Sequence, residues 1–329
     1  MAQTTYDHIS SNNFKTALLL LMFPLSVVLL FFAILFVLLF LNSTNNADIS
    51  VIFKETLYYT MQFGFWSWLA AFIWMLFVLF NGSDMLLAFA GAKKLNKNTR
   101  ENKNIYNLVE NTALAAGLPC PTVYVIEDDS LNAFATGYEP KKSAVALTSG
   151  IIKKLSPTEL QGVIAHEMAH IGNRDCRLHA LIIAGIGIFG FLAEFLTRFN
   201  IDRSGSSSKS SSRSDGAGRA ILIIIAVIAT LYIFHTIVAP ILRFAVLRTR
   251  EYAADATAAL ITRNPQALAD ALRKISADSR VEVLDSSKQM AIACIQNPLK
   301  MDAFSLTQTH PPIQERIKRL EEMAGRISL

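Results

Sequence analysis

The residues with the clearest chemical potential are His166, Glu167 and His170, which form the sequence His-Glu-Met-Ala-His. Residues four apart on a helix are just over one turn apart, so the two imidazoles point to the same side. Imidazole nitrogens are good ligands for Zn²⁺, and two of them one turn apart can bind one ion. A glutamate directly after the first histidine can take a proton from a water molecule on that ion. The spacing therefore predicts metal-assisted hydrolysis with one Zn²⁺ per chain.

A third protein ligand has to come from another part of the chain. Glu251 and Asp255 lie four residues apart in Arg-Glu-Tyr-Ala-Ala-Asp and share a helix face. One of them can bind the metal while the other accepts a hydrogen bond from a ligand imidazole. Asp175, five residues after His170, is a further candidate acceptor. These residue types leave the choice open, and each carboxylate also fits a charged turn at a helix end.

The histidine pair needs a helix, and the sequence contains a strong start signal for one. Ser156, Pro157 and Glu159 form a capping box with proline at the first helical position. We expect this helix to run to about residue 173. Upstream, apolar periodicity predicts a helix over 101–116 and three strands. The predicted strands cover residues 122–126, 132–136 and 143–148.

Long apolar runs set other parts of the chain apart. Apolar residues make up 52% and charged residues 17% of the 329 residues, which is too apolar for an ordinary soluble domain. About 20 consecutive apolar residues span the hydrocarbon core of a membrane, which is ~30 Å thick. Four runs approach that length, at about residues 17–41, 63–80, 178–196 and 221–245.

The runs divide the chain into four predicted parts. Residues 1–90 carry two transmembrane helices, and residues 91–177 form the first part of a metallopeptidase domain with the HExxH helix. Residues 178–247 contain the third and fourth runs and a Ser-rich linker at 204–214, whose composition cannot build a core. Residues 248–329 complete the metallopeptidase domain.

Charge next to the second run predicts the orientation. Five basic residues follow it closely: Lys93, Lys94, Lys97, Arg100 and Lys103. Basic residues beside a span favour the cytoplasm, so we expect a multi-pass protein whose active site faces the cytoplasm. A simple four-span arrangement would leave five basic residues of segment 198–219 outside. A hairpin of the last two runs that does not cross fully therefore stays open as an alternative.

Composition and motifs disfavour several other functions. The net charge of +5 is modest and the basic residues are scattered, so nucleic acid is not an expected partner. The sequence has no GxxxxGK[ST] motif, so ATP is not expected on this chain. The three cysteines include no CxxC pair, which disfavours a disulfide framework and a cysteine-bound zinc site.

Four motifs occur together and in an order typical of one group of enzymes. They are Asn-Ala-Phe-Ala-Thr-Gly at 132–137, HExxH at 166–170, Arg-Glu-Tyr-Ala-Ala-Asp at 250–255, and Thr-His-Pro-Pro at 309–312 followed by Glu-Arg-Ile at 315–317. With the apolar runs in matching places, the chain resembles the HtpX-like membrane zinc metallopeptidases, relatives of the type I CAAX prenyl protease.

The resemblance implies roles for particular residues. Glu251 becomes the third zinc ligand beside the two histidines, and Glu167 the general base. His310 and Arg316 are expected near the zinc, where they help to hold the substrate or the oxyanion. An edge strand beside the cleft is expected to bind the substrate backbone. Its residues are Asn132, Ala133, Phe134, Ala135 and Thr136.

The expected fold class is α+β, with multi-pass membrane helices and a mainly helical, gluzincin-type metallopeptidase domain that carries a small β-sheet. The expected function is zinc-dependent endopeptidase cleavage of membrane-protein or peptide substrates in a lipid bilayer. By resemblance, this is quality control of misfolded membrane proteins in a bacterial inner membrane. Two alternatives remain, namely processing of prenylated peptides and a non-catalytic membrane metal-binding protein.

Overall fold

A computed structural model of the chain describes residues 5–43, 48–182, 225–231, 233, 248–277 and 311–327. His310, the Ser-rich linker and most of the third and fourth apolar runs lie outside the described residues.

The described residues group into two compact units. The first takes its residues from Met1–Thr16, Val78–Ile183 and Leu242–Leu329, and the second from Ala17–Phe77 and Ala184–Ile241. The domain boundaries drawn from the sequence stay a prediction.

Two long apolar helices begin the chain: α1 covers Thr5–Asn42 and α2 covers Ile49–Phe89. In the part of the chain that the structure describes, these two helices are long and apolar enough to cross a membrane. Few of their apolar side chains are buried, as expected for a surface that faces lipid rather than a protein core. The hydroxyl of Thr56 donates to the carbonyl of Ile52 at 2.7 Å, which satisfies a polar group within α2.

A four-stranded mixed sheet follows, with the strand order β1-β2-β4-β3. The strands are β1 (Lys93–Lys94), β2 (Thr122–Ile126), β3 (Ala133–Gly137) and β4 (Ser143–Thr148). Strands β2 and β4 are parallel, whereas β3 pairs with β4 antiparallel, with Ala135 opposite Val145. Strand β3 therefore forms one edge of the sheet among the described strands.

Both faces of the central strands are buried, because side chains alternate between two apolar clusters. Val145 and Leu147 pack into the larger cluster together with α5. Phe134 and Ala146 pack into a smaller cluster with Leu86, at the end of α2. Since the faces are covered, the part of β3 left for a ligand is its backbone edge.

Helix α5 (Pro157–Gly172) carries the HExxH residues and begins at the predicted capping box. The backbone N–H of Ser156 donates to the Glu159 carboxylate at 2.7 Å, and the Glu159 N–H donates to the Ser156 hydroxyl at 3.3 Å. Lys274 also donates to the Glu159 carboxylate at 2.7 Å, so the start of α5 is held from two sides. Helices α3 (Arg100–Ala115) and α4 (Ser149–Lys154) precede it.

Three further helices complete the first unit: α6 (Arg248–Thr262), α7 (Pro265–Ala277) and α8 (Ile313–Ile327). Helix α5 contacts both the sheet and helices α6 and α7. The approach of α5 to α7 is close, since a Cβ on Gly162 would lie 3.1 Å from the Leu268 backbone. Ile317 and Leu320 bury one face of α8 in the larger apolar cluster.

The structure confirms the expected α+β class with a small sheet and two candidate membrane helices. Strands β2 and β4 have the predicted bounds, and β3 begins one residue later than predicted. Strand β1 and helix α4 were not expected. Both are short, and neither has an apolar period long enough to predict it.

Candidate metal centre

The two histidines and the glutamate of HExxH are deeply buried on α5. His166, Glu167 and His170 are only 1%, 3% and 7% exposed. The Nε2 atoms of the two histidines lie 3.2 Å apart, and their rings are perpendicular. Both imidazoles thus direct the same ring atom towards one position.

Glu251 reaches the same position from α6. Its carboxylate oxygens lie 3.7 Å from His166 Nε2 and 3.6 Å from His170 Nε2. Ligands of a tetrahedral Zn²⁺ at about 2.0–2.1 Å lie roughly 3.4 Å from one another. The three ligand atoms therefore have nearly the spacing that one metal ion requires, and this cluster can hold a metal.

Each ligand histidine faces a carboxylate at its other ring nitrogen. His166 Nδ1 lies 3.0 Å from Asp255 Oδ1, and His170 Nδ1 lies 2.9 Å from Asp175 Oδ2. An ionised carboxylate can only accept, so each Nδ1 carries the proton and each Nε2 keeps its lone pair. This arrangement turns Nε2 of both rings towards the position that a metal would occupy, with Arg316 Nη2 3.4 Å from His166 Nε2.

Arginines hold both carboxylates in turn. Arg316 on α8 donates from Nε and Nη2 to the two oxygens of Asp255, at 2.8 and 2.7 Å. Its Nη1 lies 3.2 Å from the Glu251 carboxylate. Arg250 Nη1 lies 3.1 Å from Asp175 Oδ1. All three guanidinium nitrogens of Arg316 therefore face carboxylates of the site.

Charge at the centre favours a cation on the ligand atoms. Burial lowers the pKa of His166, but the neighbouring carboxylates of Asp255 and Glu251 outweigh burial and raise the pKa to about 9. Burial raises the pKa of Asp255, yet the charge and hydrogen bonds of Arg316 hold it at about 2. Carboxylates that attract a proton to Nε2 attract a metal ion to the same atom.

Glu167 differs from Glu251 in its surroundings. Burial raises the pKa of the Glu167 carboxyl, while the two histidines and the backbone N–H of Ala135 lower it, and the net change is upward. A carboxylate with a raised pKa is a stronger base. The Ala135 N–H also connects the Glu167 carboxylate to the outer edge of β3.

The register of β3 explains why this N–H is available. Thr148 N–H donates to the Asn132 carbonyl at 3.1 Å, so Ala133 and Ala135 are the residues whose backbone groups point away from β4. The N–H of Ala133 donates to the side-chain oxygen of its neighbour Asn132 at 2.9 Å. Phe134 and Thr136 are buried, at 2% and 1% exposure.

Seven of the predicted site residues thus meet in one place beside the Ala135 N–H, namely His166, Glu167, His170, Asp175, Glu251, Asp255 and Arg316. Phe134 instead packs into the smaller apolar cluster, and His310 lies outside the described residues. Arg250 and Asn12 also contact Asp175, although neither was predicted from the sequence. Arg250 stands next to Glu251, and its position one residue before a candidate ligand was the available signal. Asn12 carries no signal, because it lies 163 residues from Asp175.

The sequence pattern of Peptidase family M48 matches residues 99–324, which include the HExxH helix, Glu251 and Arg316. A protein named Protease HtpX homolog from Bacteroides fragilis is 39% identical over 324 residues, 95% of this chain and 97% of its own. Proteins of the same name from Listeria monocytogenes and Dictyoglomus thermophilum are 38% and 40% identical. They cover 76% and 79% of this chain, and 83% of each relative is matched.

The crystal structure of S. mikatae Ste24p is similar with a TM-score of 0.42 and 19% sequence identity. The match covers 81% of this chain and 58% of the Ste24p chain.

The sequence relatives decide the assignment, because identity near 39% extends over almost the whole chain. They confirm the resemblance to HtpX-like proteases that the motifs indicated. The chain therefore belongs to peptidase family M48 and is a metalloprotease with two candidate membrane helices.

Proposed function

We propose that the protein is a zinc-dependent endopeptidase that cleaves membrane proteins, or peptides presented at a membrane. One Zn²⁺ per chain would be held by His166, His170 and Glu251. The convergence of these three ligand atoms within 4.8 Å carries the proposal, together with the adjacent buried Glu167. Bound Zn²⁺ would polarise the scissile carbonyl and lower the pKa of a water molecule.

Glu167 is the proposed general base. Its carboxylate is not one of the three groups that converge on the metal position, and burial raises the pKa of this carboxyl. The carboxylate takes a proton from the attacking water and later delivers it to the leaving amine. The Ala135 N–H fixes the carboxylate beside the edge strand, where the scissile bond of a strand-like substrate would lie.

Asp255 and Asp175 are the proposed acceptors that orient the ligand histidines. Arg316 binds two carboxylates of the site and is 1% exposed. These contacts favour a role in holding Asp255 and Glu251 over direct contact with the substrate. His310 remains the proposed donor to the negative charge that develops on the substrate carbonyl.

The free edge of β3 is the proposed substrate site. The carbonyls of Ala133 and Ala135 point away from β4 and can accept from an extended peptide. Residues Asn132, Phe134 and Thr136 are buried, so recognition would depend on the peptide backbone. Backbone pairing tolerates many sequences but needs an extended segment. This requirement suits misfolded membrane proteins, and we propose a role in their quality control.

The proposed location is the bacterial inner membrane, with several spans and the centre facing the cytoplasm. Lys93, Lys94, Lys97 and Arg100 are exposed directly after α2, where a positive-inside bias acts most strongly. The family assignment argues against a non-catalytic metal-binding protein, which also would not need Glu167 held against the edge strand.

Replacing the base should separate metal binding from catalysis. We expect Glu167→Gln to lower the rate of casein cleavage by about 10²–10⁴-fold or more, since proton transfer fails. Zinc content should stay at one ion per chain. Glu110→Gln, an exposed glutamate on α3, is the matched control and should retain wild-type activity. Near-normal cleavage by the Glu167→Gln protein would remove this residue from the mechanism.

Glu251 and Asp255 should respond differently to loss of charge. We expect Glu251→Gln to weaken zinc binding more than Asp255→Asn, because a ligand bonds the ion directly. Replacing a residue that only hydrogen-bonds a metal ligand typically lowers metal affinity or activity by about 10–100-fold. Competition with a chelating dye would give both affinities. Equal zinc affinity in Glu251→Gln and wild type would move the third ligand to another residue.

Strand addition predicts a periodic response to backbone changes in the substrate. Only every second residue of an added strand directs its N–H to the edge. A scan of single N-methyl amides along a cleaved peptide should therefore raise KM at alternate positions. A uniform response, or none at any position, would contradict recognition by β3.

Labelling at two exposed positions tests the orientation of the protein in the membrane. On a Cys120→Ser background, a membrane-impermeant maleimide should label Asp48→Cys in intact bacteria but not Glu101→Cys. Both residues are exposed in the structure, so both should be labelled after lysis. Labelling of position 101 from outside would refute a cytoplasmic centre.

A further inference from the structure

The turn after α5 joins a candidate metal ligand to its carboxylate partner and carries backbone strain. Arg174 adopts φ 60, a left-handed conformation that is unfavourable for a residue with a side chain. His170 lies before this turn, and Asp175 follows it directly. The position of the Asp175 carboxylate therefore depends on how the turn is held.

Asn12 on α1 holds both sides of this turn. Its side-chain amide donates to the Asn173 carbonyl at 2.7 Å and to Asp175 Oδ1 at 2.7 Å. The Asn12 residue is 3% exposed, and buried amides need such partners. It belongs to the same compact unit as the turn and precedes the apolar run that begins at Ala17.

Asp175 is the point where three chain segments meet. Its Oδ2 faces His170 Nδ1 at 2.9 Å, while Oδ1 accepts a hydrogen bond from the Asn12 amide at 2.7 Å and forms an ion pair with Arg250 Nη1 at 3.1 Å. With a donor and a cation on one oxygen, the other oxygen stays aimed at the histidine. A fixed acceptor keeps the proton on Nδ1 and the ring in one orientation.

We propose that Asn12 is a positioning residue of the metal centre, which holds Asp175 so that His170 presents Nε2 to the metal. The inference rests on the proposed zinc site. Asn12 lies outside residues 99–324, the segment that the family pattern matches. The centre is thus incomplete without the first turns of α1, although α1 contributes no ligand.

Zinc affinity of the full-length protein in detergent tests the inference by competition with a chelating dye. We expect Asn12→Leu to lower the zinc affinity about tenfold, which is the lower end of the range for replacing residues that orient metal ligands. Asn13→Leu changes the exposed neighbour on the same helix and should bind zinc as wild type does. The visible spectrum of the Co²⁺-substituted protein should shift in Asn12→Leu only.

A double-mutant cycle shows whether Asn12 acts through Asp175. If it does, Asn12→Leu adds little further loss of zinc affinity in an Asp175→Ala background, because Asp175→Ala already removes the group through which Asn12 acts. If the two losses of zinc-binding free energy add fully, Asn12 has a separate structural role and the proposal is overturned. If Asn12→Leu does not fold, Asn12→Ser gives the same test. Serine keeps a hydrogen-bond donor but is too short to reach both the Asn173 carbonyl oxygen and Asp175 Oδ1.

The outcomes distinguish this inference from the proposed function. If the wild-type protein binds one zinc and Asn12→Leu binds it equally well, the positioning role fails while the zinc site stands. If the wild-type protein binds no zinc, the site itself fails and the inference fails with it.

Discussion

A buried imidazole that binds a metal through Nε2 must keep its proton on Nδ1, and this requirement governs the arrangement of the centre. A buried carboxylate meets the requirement at each histidine, Asp255 for His166 and Asp175 for His170. A carboxylate removed from water is itself unfavourable unless a cation or several donors compensate it. Arg316 and Arg250 supply those cations.

These paired charges explain why distant parts of the chain fold onto one helix. Helix α5 carries the histidines, α6 carries Glu251 and Asp255, and α8 carries Arg316. Removing one partner of a buried pair typically costs about 3–5 kcal/mol, because the remaining charge stays unpaired. Any arrangement that separates these helices would leave a buried charge unpaired, so the paired charges specify how α6 and α8 sit on α5, while apolar packing stabilises the contact. The sheet adds the edge whose Ala135 N–H reaches Glu167.

Residues close together in the sequence predicted the parts of this site that lie within one helix or one strand. The HExxH spacing placed two candidate ligands on one helix face, and the Ser156 capping box located the start of that helix. Alternating apolar residues predicted β2 and β4 with correct bounds. The short strand β1 was missed, because two exposed lysines carry no strand pattern.

Contacts between distant residues could not be predicted in this way. The carboxylate pattern around Glu251 left open which group faces which histidine, and only the fold brings Asp255 to His166 and Asp175 to His170. The hydrogen bond of Asn12 joins residues 163 apart and has no periodicity in the sequence. An asparagine at the start of an apolar helix would otherwise be interpreted as a solvated polar residue.

The most direct test of the centre is X-ray absorption at the zinc edge of the purified, full-length protein. We expect one zinc per chain, with two imidazole rings and only nitrogen or oxygen donors at about 2.0–2.1 Å. Loss of one imidazole in a His170→Ala sample would assign a ring to that residue. Sulfur at about 2.3 Å, or zinc bound without histidine, would contradict a centre built from His166, His170 and Glu251.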